Sequence, residues 1–183
     1  MGDPRKARKT YSTPNHPWQK SRIDEEKILR REYGFRNKKE LWKLSSKLKN
    51  YFDRSKEYVA RETPQSIIEQ EHMLNKLKGY GLISDDGIIA DVLDITIKDM
   101  LERRLQTILF RKGFARSIKQ ARQFIVHGHV MIAGKKMTSP SYLVSLEEEN
   151  KIVFCESSSL ASEEHPERSL VAKEQETSEG SEE

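Results

Sequence analysis

The chain has 183 residues, of which 35% are hydrophobic and 34% are charged, so it has room for one domain or two small ones with a thin core. Its charge is uneven: residues 1–155 carry 31 Lys or Arg against 20 Asp or Glu, a net +11, whereas residues 156–183 carry 2 against 9, a net −7. The basic body predicts RNA or DNA as the partner and no membrane, because no apolar span accompanies the charge, and the single cysteine excludes an internal disulfide.

Residues 1–20 form the first segment, which is basic, contains three prolines and shows neither a helical nor a strand period. This composition predicts an extended arm that becomes ordered on contact with RNA. Trp18 has two open roles, stacking on a base or packing against the body. Because the arm lacks the apolar run of a secretory signal, we expect a cytoplasmic protein.

Residues 21–95 carry the apolar spacing of a small helical subdomain. Gly34 ends the first predicted helix, Asn37 with Glu40 caps the second, and Thr63 followed by proline begins the third. The predicted helices span 21–33, 37–62 and 63–79. Their predicted apolar stripes include Leu41, Leu44, Leu48, Val59, Ile67 and Ile68.

The outer face of the second predicted helix is a further candidate for RNA contact. Rows of Lys on a long helix are as commonly just solvated, so both interpretations stay open. The face carries Lys38, Lys39, Lys43, Lys47, Lys49, Arg54 and Lys56.

Residues 96–155 combine helical and strand patterns. A cap at Thr96 begins a helix that continues through Leu109. A capping box at Ser117 begins a second helix, which ends at Gly128.

A hairpin follows this second helix. Val130 and Ile132 alternate with less apolar positions, as a half-buried strand does. Residues 143–146 and 151–154 predict a closing hairpin around a turn at 147–150.

The last segment, residues 156–183, is rich in Ser and Glu and has no period, so it is predicted to be an acidic disordered tail. The predicted fold class is therefore α+β. It has a small helical N-terminal subdomain over 21–95, followed by a two-helix plus β-hairpin module over 96–155.

The strongest functional signal is an acid-free basic stretch. From Arg103 to Lys136 the chain has nine Lys or Arg and no Asp or Glu. Solvated helices normally interleave Glu with Lys, so this asymmetry favours nucleic-acid binding. Lys and Arg pair with phosphates, while Gln and His reach sugar or base edges. The candidate RNA-binding residues are Arg103, Arg104, Arg111, Lys112, Arg116, Ser117, Lys119, Gln120, Arg122, Gln123, His127, His129, Lys135 and Lys136.

Motifs for catalysis are missing from the sequence. No P-loop, nucleophile elbow or metalloprotease motif occurs. His127 and His129 are a close pair, but no cysteine or carboxylate stands at ligand spacing, so we expect no metal and no cofactor. We interpret the chain as non-enzymatic.

Several short runs resemble the RNA-binding module of the small ribosomal subunit protein four family. The opening MGDP and the segment HPW at 16–18 resemble the archaeal and eukaryotic branch of that family, and together the similarities cover residues 1–155. One departure is Ala133-Gly134, where the module usually has Asn-Gly, which leaves the turn type open. The runs within the module are RRLQ at 103–106, RKG at 111–113, ARS at 115–117, QARQ at 120–123, IVHGH at 125–129 and SPSY at 139–142.

This resemblance implies a structural constituent of the small ribosomal subunit that binds small-subunit ribosomal RNA. It further implies an early assembly role at a helical junction of the 5′ domain, contact with small ribosomal subunit protein five near the messenger entry, and support of translational accuracy. Some relatives hold zinc near the N-terminus, and this sequence lacks the thiols for it.

Two other functional classes use a similar module. Similar modules occur in pseudouridine synthases and tyrosyl-tRNA synthetases, but the residues before Thr96 are too few and too charged to form a catalytic domain. A stand-alone RNA chaperone or ribosome-rescue factor needs only the module, and the extended N-terminal resemblance counts against it.

Overall fold

A computed structural model of the protein describes residues 8–61, 63–162 and 165–167. The first part of the described chain is helical, as predicted. Its elements are α1 (Lys20–Glu32), α2 (Lys38–Ala60), α3 (Pro64–Gly79), a 3-10 helix (Ile89–Asp94) and α4 (Ile97–Glu102).

The starts of α2 and α3 agree with the prediction, although their caps differ. Thr63 caps α3, because its side chain accepts a hydrogen bond from the Ser66 amide at 3.2 Å. Asn37 precedes α2 but makes no capping hydrogen bond. Its predicted partner Glu40 instead accepts hydrogen bonds from two arginines of the second half of the chain.

Buried apolar residues of these helices form one core, which includes Leu41, Leu44 and Leu48 as predicted. Predicted stripe residues near the end of α2 and the start of α3 are exposed, because none of the described elements covers them. Met100 and Leu101 of α4 also pack in this core, so α4 belongs with the helical subdomain. The exposed stripe residues are Val59, Ile67 and Ile68.

The second core lies in the two-helix plus hairpin module, where the single helix predicted from Thr96 through Leu109 is broken in two. At the break the chain pairs with a later segment: the Leu105 amide donates to the Tyr142 carbonyl at 2.8 Å and the Val144 amide to the Arg103 carbonyl at 2.9 Å. The elements that follow are α5 (Leu105–Arg111), α6 (Ile118–Val126), β1 (Val130–Ile132), β2 (Lys135–Met137), α7 (Leu146–Glu149) and β3 (Ile152–Phe154).

The three strands form an antiparallel sheet with the order β2-β1-β3. The predicted hairpin of β1 and β2 is confirmed. The predicted closing hairpin is wrong, because β3 pairs with β1 and residues 146–149 form α7. Ser145 and Glu148 cap each other's backbone amides, and this local capping favours a helical turn there.

The structure defines the type of the turn between β1 and β2, which the sequence left open. Ala133 has a φ of 47° and Gly134 a φ of 78°. Positive φ at both central residues is the type I′ turn that Asn-Gly normally forms, so Ala133 adopts a conformation that costs an L-residue energy.

The described part of the arm contacts the helical subdomain at two places, and at one of them Arg22 Nη2 of α1 donates to the His16 and Pro17 carbonyls at 3.2 and 2.9 Å. The Ser12 amide donates to Ser46 Oγ at 3.0 Å, and the ammonium groups of Lys9 and Lys39 lie 5.0 and 5.5 Å from the Tyr11 ring centre. Trp18 exposes 89% of its surface, so the packing role considered for it is wrong in this structure. Residues 1–7 lie outside the described residues.

The beginning of the acidic tail departs from the predicted disorder. A 3-10 helix at Ser159–Ala161 buries Leu160, which exposes only 4% of its surface. Ser158 Oγ shares a hydrogen bond of 2.8 Å with His129 Nδ1. Residues 168–183 lie outside the described residues, and the prediction for them stays a prediction.

Candidate nucleic-acid interface

Helix α6 presents the predicted polar face to the surface. Ala121 and Ile125 bury the opposite face in the module core. Ser117 Oγ accepts a hydrogen bond from the Gln120 amide at 3.2 Å, and Gln120 Oε1 accepts one from the Arg116 amide at 2.8 Å. These caps fix the start of the helix, so Arg116 and its neighbours hold a defined position.

Several of the predicted cations are paired with acids that lie outside the acid-free stretch. Arg103 Nη1 lies 2.8 Å from Glu149, and Lys112 Nζ lies 3.7 Å from the same carboxylate. Arg111 Nε lies 2.6 Å from Glu102. The absence of local acids therefore does not leave these three side chains unpaired.

Arg104 is wrongly included in the predicted RNA-binding face, because its side chain is completely buried. Its guanidinium lies over the Phe35 ring at 4.4 Å and donates to Glu40 at 3.0 Å. Arg122, which is partly exposed, donates to both oxygens of the same carboxylate at 2.7 and 3.0 Å. Burial raises the pKa of the Glu40 carboxyl, but the two guanidinium groups outweigh it and hold that pKa below its usual value.

Four predicted cations have no carboxylate within ion-pair distance in the part of the chain that the structure describes. All four are exposed. The end of the Lys136 side chain lies against Gly128, where any side chain larger than hydrogen would overlap it. The four are Arg116, Lys119, Lys135 and Lys136.

A groove between α1 and α6 adds cations that the sequence interpretation missed. Lys27, Arg30, Arg31 and Arg36 are exposed and line its α1 side, while Lys119 lies on the α6 side. The spacing of the first three, at i, i+3 and i+4, places them on one helix face and was the available signal. We call this feature the α1–α6 groove; it is lined by Lys27, Arg30, Arg31, Gly34, Phe35, Arg36, Phe110, Arg116, Ser117, Ile118, Lys119, Arg122, Gln123, Val126 and His127.

The walls of the α1–α6 groove are tied together at Gly34. Its φ is +61°, and a Cβ there would come within 2.5 Å of the Ile118 side chain. Gln106, which is fully buried, donates to the Ile118 carbonyl at 2.9 Å and to the Gly34 carbonyl at 3.4 Å. The groove is thus a fixed feature in which the helical subdomain contributes four of the seven Lys or Arg residues.

The ring centres of the two predicted histidines lie 6.2 Å apart, but the two side chains have different surroundings. His127 lines the α1–α6 groove, whereas His129 is engaged by Ser158 and lies edge to face with Phe124 at 6.3 Å. Among the described residues, no three His, Cys, Asp or Glu side chains are grouped so that they could hold a metal ion. Gln120 Nε2 donates to Glu167 at 2.6 Å, so the acidic segment reaches the predicted RNA-binding residues.

Comparison with known proteins identifies the family. The S4 domain model matches residues 103–150. Small ribosomal subunit protein uS4 of Methanococcus maripaludis strain S2 is 47% identical over 176 residues, which is 96% of this chain and 99% of that protein. The protein of the same name from Methanococcus aeolicus is 46% identical over 177 residues, 96% of this chain and 100% of its own length. The chain belongs to the uS4 family.

The uS4 membership confirms the resemblance drawn from the sequence and agrees with the α+β fold. It also confirms the non-enzymatic interpretation, because these uS4 relatives are structural proteins of the ribosome. Within the described residues, no helix is both long and apolar enough to cross a membrane.

Proposed function

We propose that this chain is a structural constituent of the small ribosomal subunit in the cytoplasmic ribosome and binds its ribosomal RNA through the α1–α6 groove. The observation that carries the proposal is that exposed cations line both walls of the groove. Lys27, Arg31 and Arg36 on one wall and Arg116 and Lys119 on the other have no carboxylate partner among the described residues.

Phosphate is the ligand that such a groove favours. Unpaired Lys and Arg attract a polyanion and release its counterions, which gives affinity that falls as salt rises. Gln123 and His127 lie beside these cations and have the donors and acceptors needed for sugar or base edges. Lys135, Lys136 and the remaining predicted residues other than the buried Arg104 would extend the contact along the module.

The finer role rests on the family resemblance. We propose that the chain binds early in assembly at a helical junction of the 5′ domain, and that it contacts small ribosomal subunit protein five and supports translational accuracy. A stand-alone chaperone or rescue factor is less well supported, because the similarity to uS4 proteins extends far beyond the module.

The basic arm has a proposed role of its own. Trp18 is exposed, and the described part of the arm is attached to the body by few contacts. We propose that the arm follows RNA, with Trp18 stacked on a base. The arm should then be cut quickly by protease in the free protein and be protected once RNA is bound.

Co-sedimentation with small subunits in high salt tests the main proposal. The unsubstituted chain should remain with the subunits, and a variant combining Lys27→Ala, Arg31→Ala and Lys119→Ala should be washed off at a lower salt concentration. Lys98→Ala with Lys151→Ala is the control, because both residues are exposed cations outside the groove.

Two results would contradict the proposal. If the groove variant and the control wash off together, the α1–α6 groove is not the RNA-binding surface. If the unsubstituted chain does not sediment with small subunits, the ribosomal role itself is wrong.

A further inference from the structure

The α1–α6 groove contains exposed apolar side chains as well as cations. Phe110 exposes 38% of its surface and Val126 exposes 53%. Both line the groove beside Phe35 and Ile118. Exposed apolar side chains are common on protein surfaces, but these two lie in a groove among cations, so a ligand bound there would meet an apolar surface and positive charge together.

The shape of the groove restricts the ligand further. It has a volume of about 990 Å³, near the upper limit for a small-molecule pocket, and its walls are fixed by the contacts of Gln106 and the close approach at Gly34. A duplex presents phosphates and sugar hydroxyls to a protein surface but keeps its base faces stacked inside. An unpaired nucleotide exposes both a phosphate and a base face.

We propose that the α1–α6 groove holds an unpaired RNA nucleotide with its base against Phe110 and Val126. The flanking phosphates bind Lys27 and Arg31 on one wall and Lys119 on the other, while Gln123 lies within the groove to contact a base edge. This inference rests on the proposed function and names the form of RNA that the site takes.

Charge favours RNA over a protein as the occupant. None of the described residues that line the groove is acidic, and six of its seven Lys or Arg side chains lack a carboxylate partner in the described chain. A protein segment would need several carboxylates to balance them, whereas each nucleotide supplies a phosphate next to an aromatic surface. Stacking of a base on an aromatic ring also accounts for a phenylalanine left exposed in a basic groove.

The test uses the full chain and two RNA hairpins that differ only in a two-nucleotide bulge. Affinities are measured at one salt concentration by fluorescence anisotropy. The bulged hairpin should bind about 5-fold or more tightly than the fully paired one, because base stacking on an aromatic side chain has an effect of this order or larger.

Substitutions separate the base contact from the phosphate contacts. Phe110→Ala and the milder Val126→Ala should remove the preference for the bulged hairpin and leave the salt slope unchanged. Lys119→Ala should lower the slope for both hairpins by about 0.7 to 0.9. Val153→Ala is the control, because Val153 is similarly exposed but lies outside the groove.

A crosslinking measurement on the unsubstituted chain does not depend on whether a variant folds. A 4-thiouridine in the bulge should crosslink to a peptide containing Phe110 or Val126. Equal affinity for the two hairpins, or crosslinks confined to other peptides, would overturn the nucleotide site while leaving the proposed RNA-binding function intact. Failure to bind either hairpin at low salt would overturn both.

Discussion

The carboxylate of Glu40 in α2 is held by the Arg122 guanidinium of α6 through hydrogen bonds of 2.7 and 3.0 Å, across a sequence separation of 82 residues. The same carboxylate accepts a hydrogen bond from Nη2 of Arg104, whose Nε and Nη1 have no hydrogen-bond partner in the described chain. Glu40 is thus the ion that joins the helical subdomain to the module and compensates a fully buried guanidinium.

Replacing Glu40 with Gln should lower the free energy of unfolding by about 3 to 5 kcal/mol, because it leaves the buried Arg104 charge uncompensated. Chemical denaturation measures this loss. Glu57→Gln is the matched control: its pair with Arg61 is exposed, so a change below about 1 kcal/mol is expected. Equal losses for the two variants would show that the Glu40 cluster adds nothing beyond a surface pair.

The same cluster predicts how stability depends on pH. The pKa of Glu40 is lower in the folded chain than in the unfolded chain, so its contribution is fully present above the unfolded pKa of about 4.3. This contribution is lost as the pH falls through the lowered folded pKa. Unfolding curves from pH 7 to pH 3 should therefore decline less steeply for Glu40→Gln than for the unsubstituted chain. If stability declines in parallel for the two proteins, other carboxylates cause the loss of stability in acid.

Cations with and without an ion-pair partner should contribute differently to the salt dependence of RNA affinity. Lys119→Ala should reduce the slope of log affinity for RNA against log salt by about 0.7 to 0.9. Arg103→Ala should reduce it by less, because Glu149 already neutralises that guanidinium. Affinity measured over a potassium chloride series gives both slopes. An equal reduction for Arg103 would mean that its ion pair opens when RNA binds.

The type I′ turn predicts a stabilising substitution. Ala133→Asn should raise the free energy of unfolding by about 0.5 to 1 kcal/mol, because Asn tolerates the positive φ of this position better than Ala does. Thermal unfolding measures the change. Ala60→Asn makes the same chemical change at the end of α2, where φ is helical, and should be neutral or slightly destabilising. A loss of stability at 133 would contradict the turn.

Leu160 is buried although the segment around it has the composition of a disordered tail, so its substitution should lower stability. Leu160→Ala should lower the free energy of unfolding by about 2 kcal/mol, since the side chain is buried. Leu93→Ala, at an exposed leucine, is the control in the same denaturant titration. Equally small effects of Leu160→Ala and Leu93→Ala would mean that the segment around Leu160 is disordered, as its composition predicts.

The contact of Glu167 with Gln120 predicts competition between the acidic segment and RNA. Glu167→Gln should increase RNA affinity at low salt, with the difference disappearing as salt rises, because screening removes the repulsion of phosphate. Glu156→Gln removes the same charge from an exposed position nearby and should have a smaller effect. Unchanged or weaker binding for Glu167→Gln would show that the segment does not compete.

The helical subdomain, the limits of α6 and the β1–β2 hairpin could be predicted from the sequence alone. They depend on local chemistry: caps at Thr63, Thr96 and Ser117 and the helix stop at Gly128 act on neighbouring residues and are read directly from spacing. The family was indicated by the resemblance of several short motifs.

Only the tertiary structure decided which cations are available and where β3 pairs. The acids that neutralise Arg103, Arg104 and Arg111 come from outside the acid-free stretch, and no local pattern reports them. The groove itself depends on Gly34 meeting Ile118, two residues 84 positions apart whose contact is set by packing of the two cores. Pairing between distant segments is decided by burial and charge in three dimensions, which local periodicity does not contain.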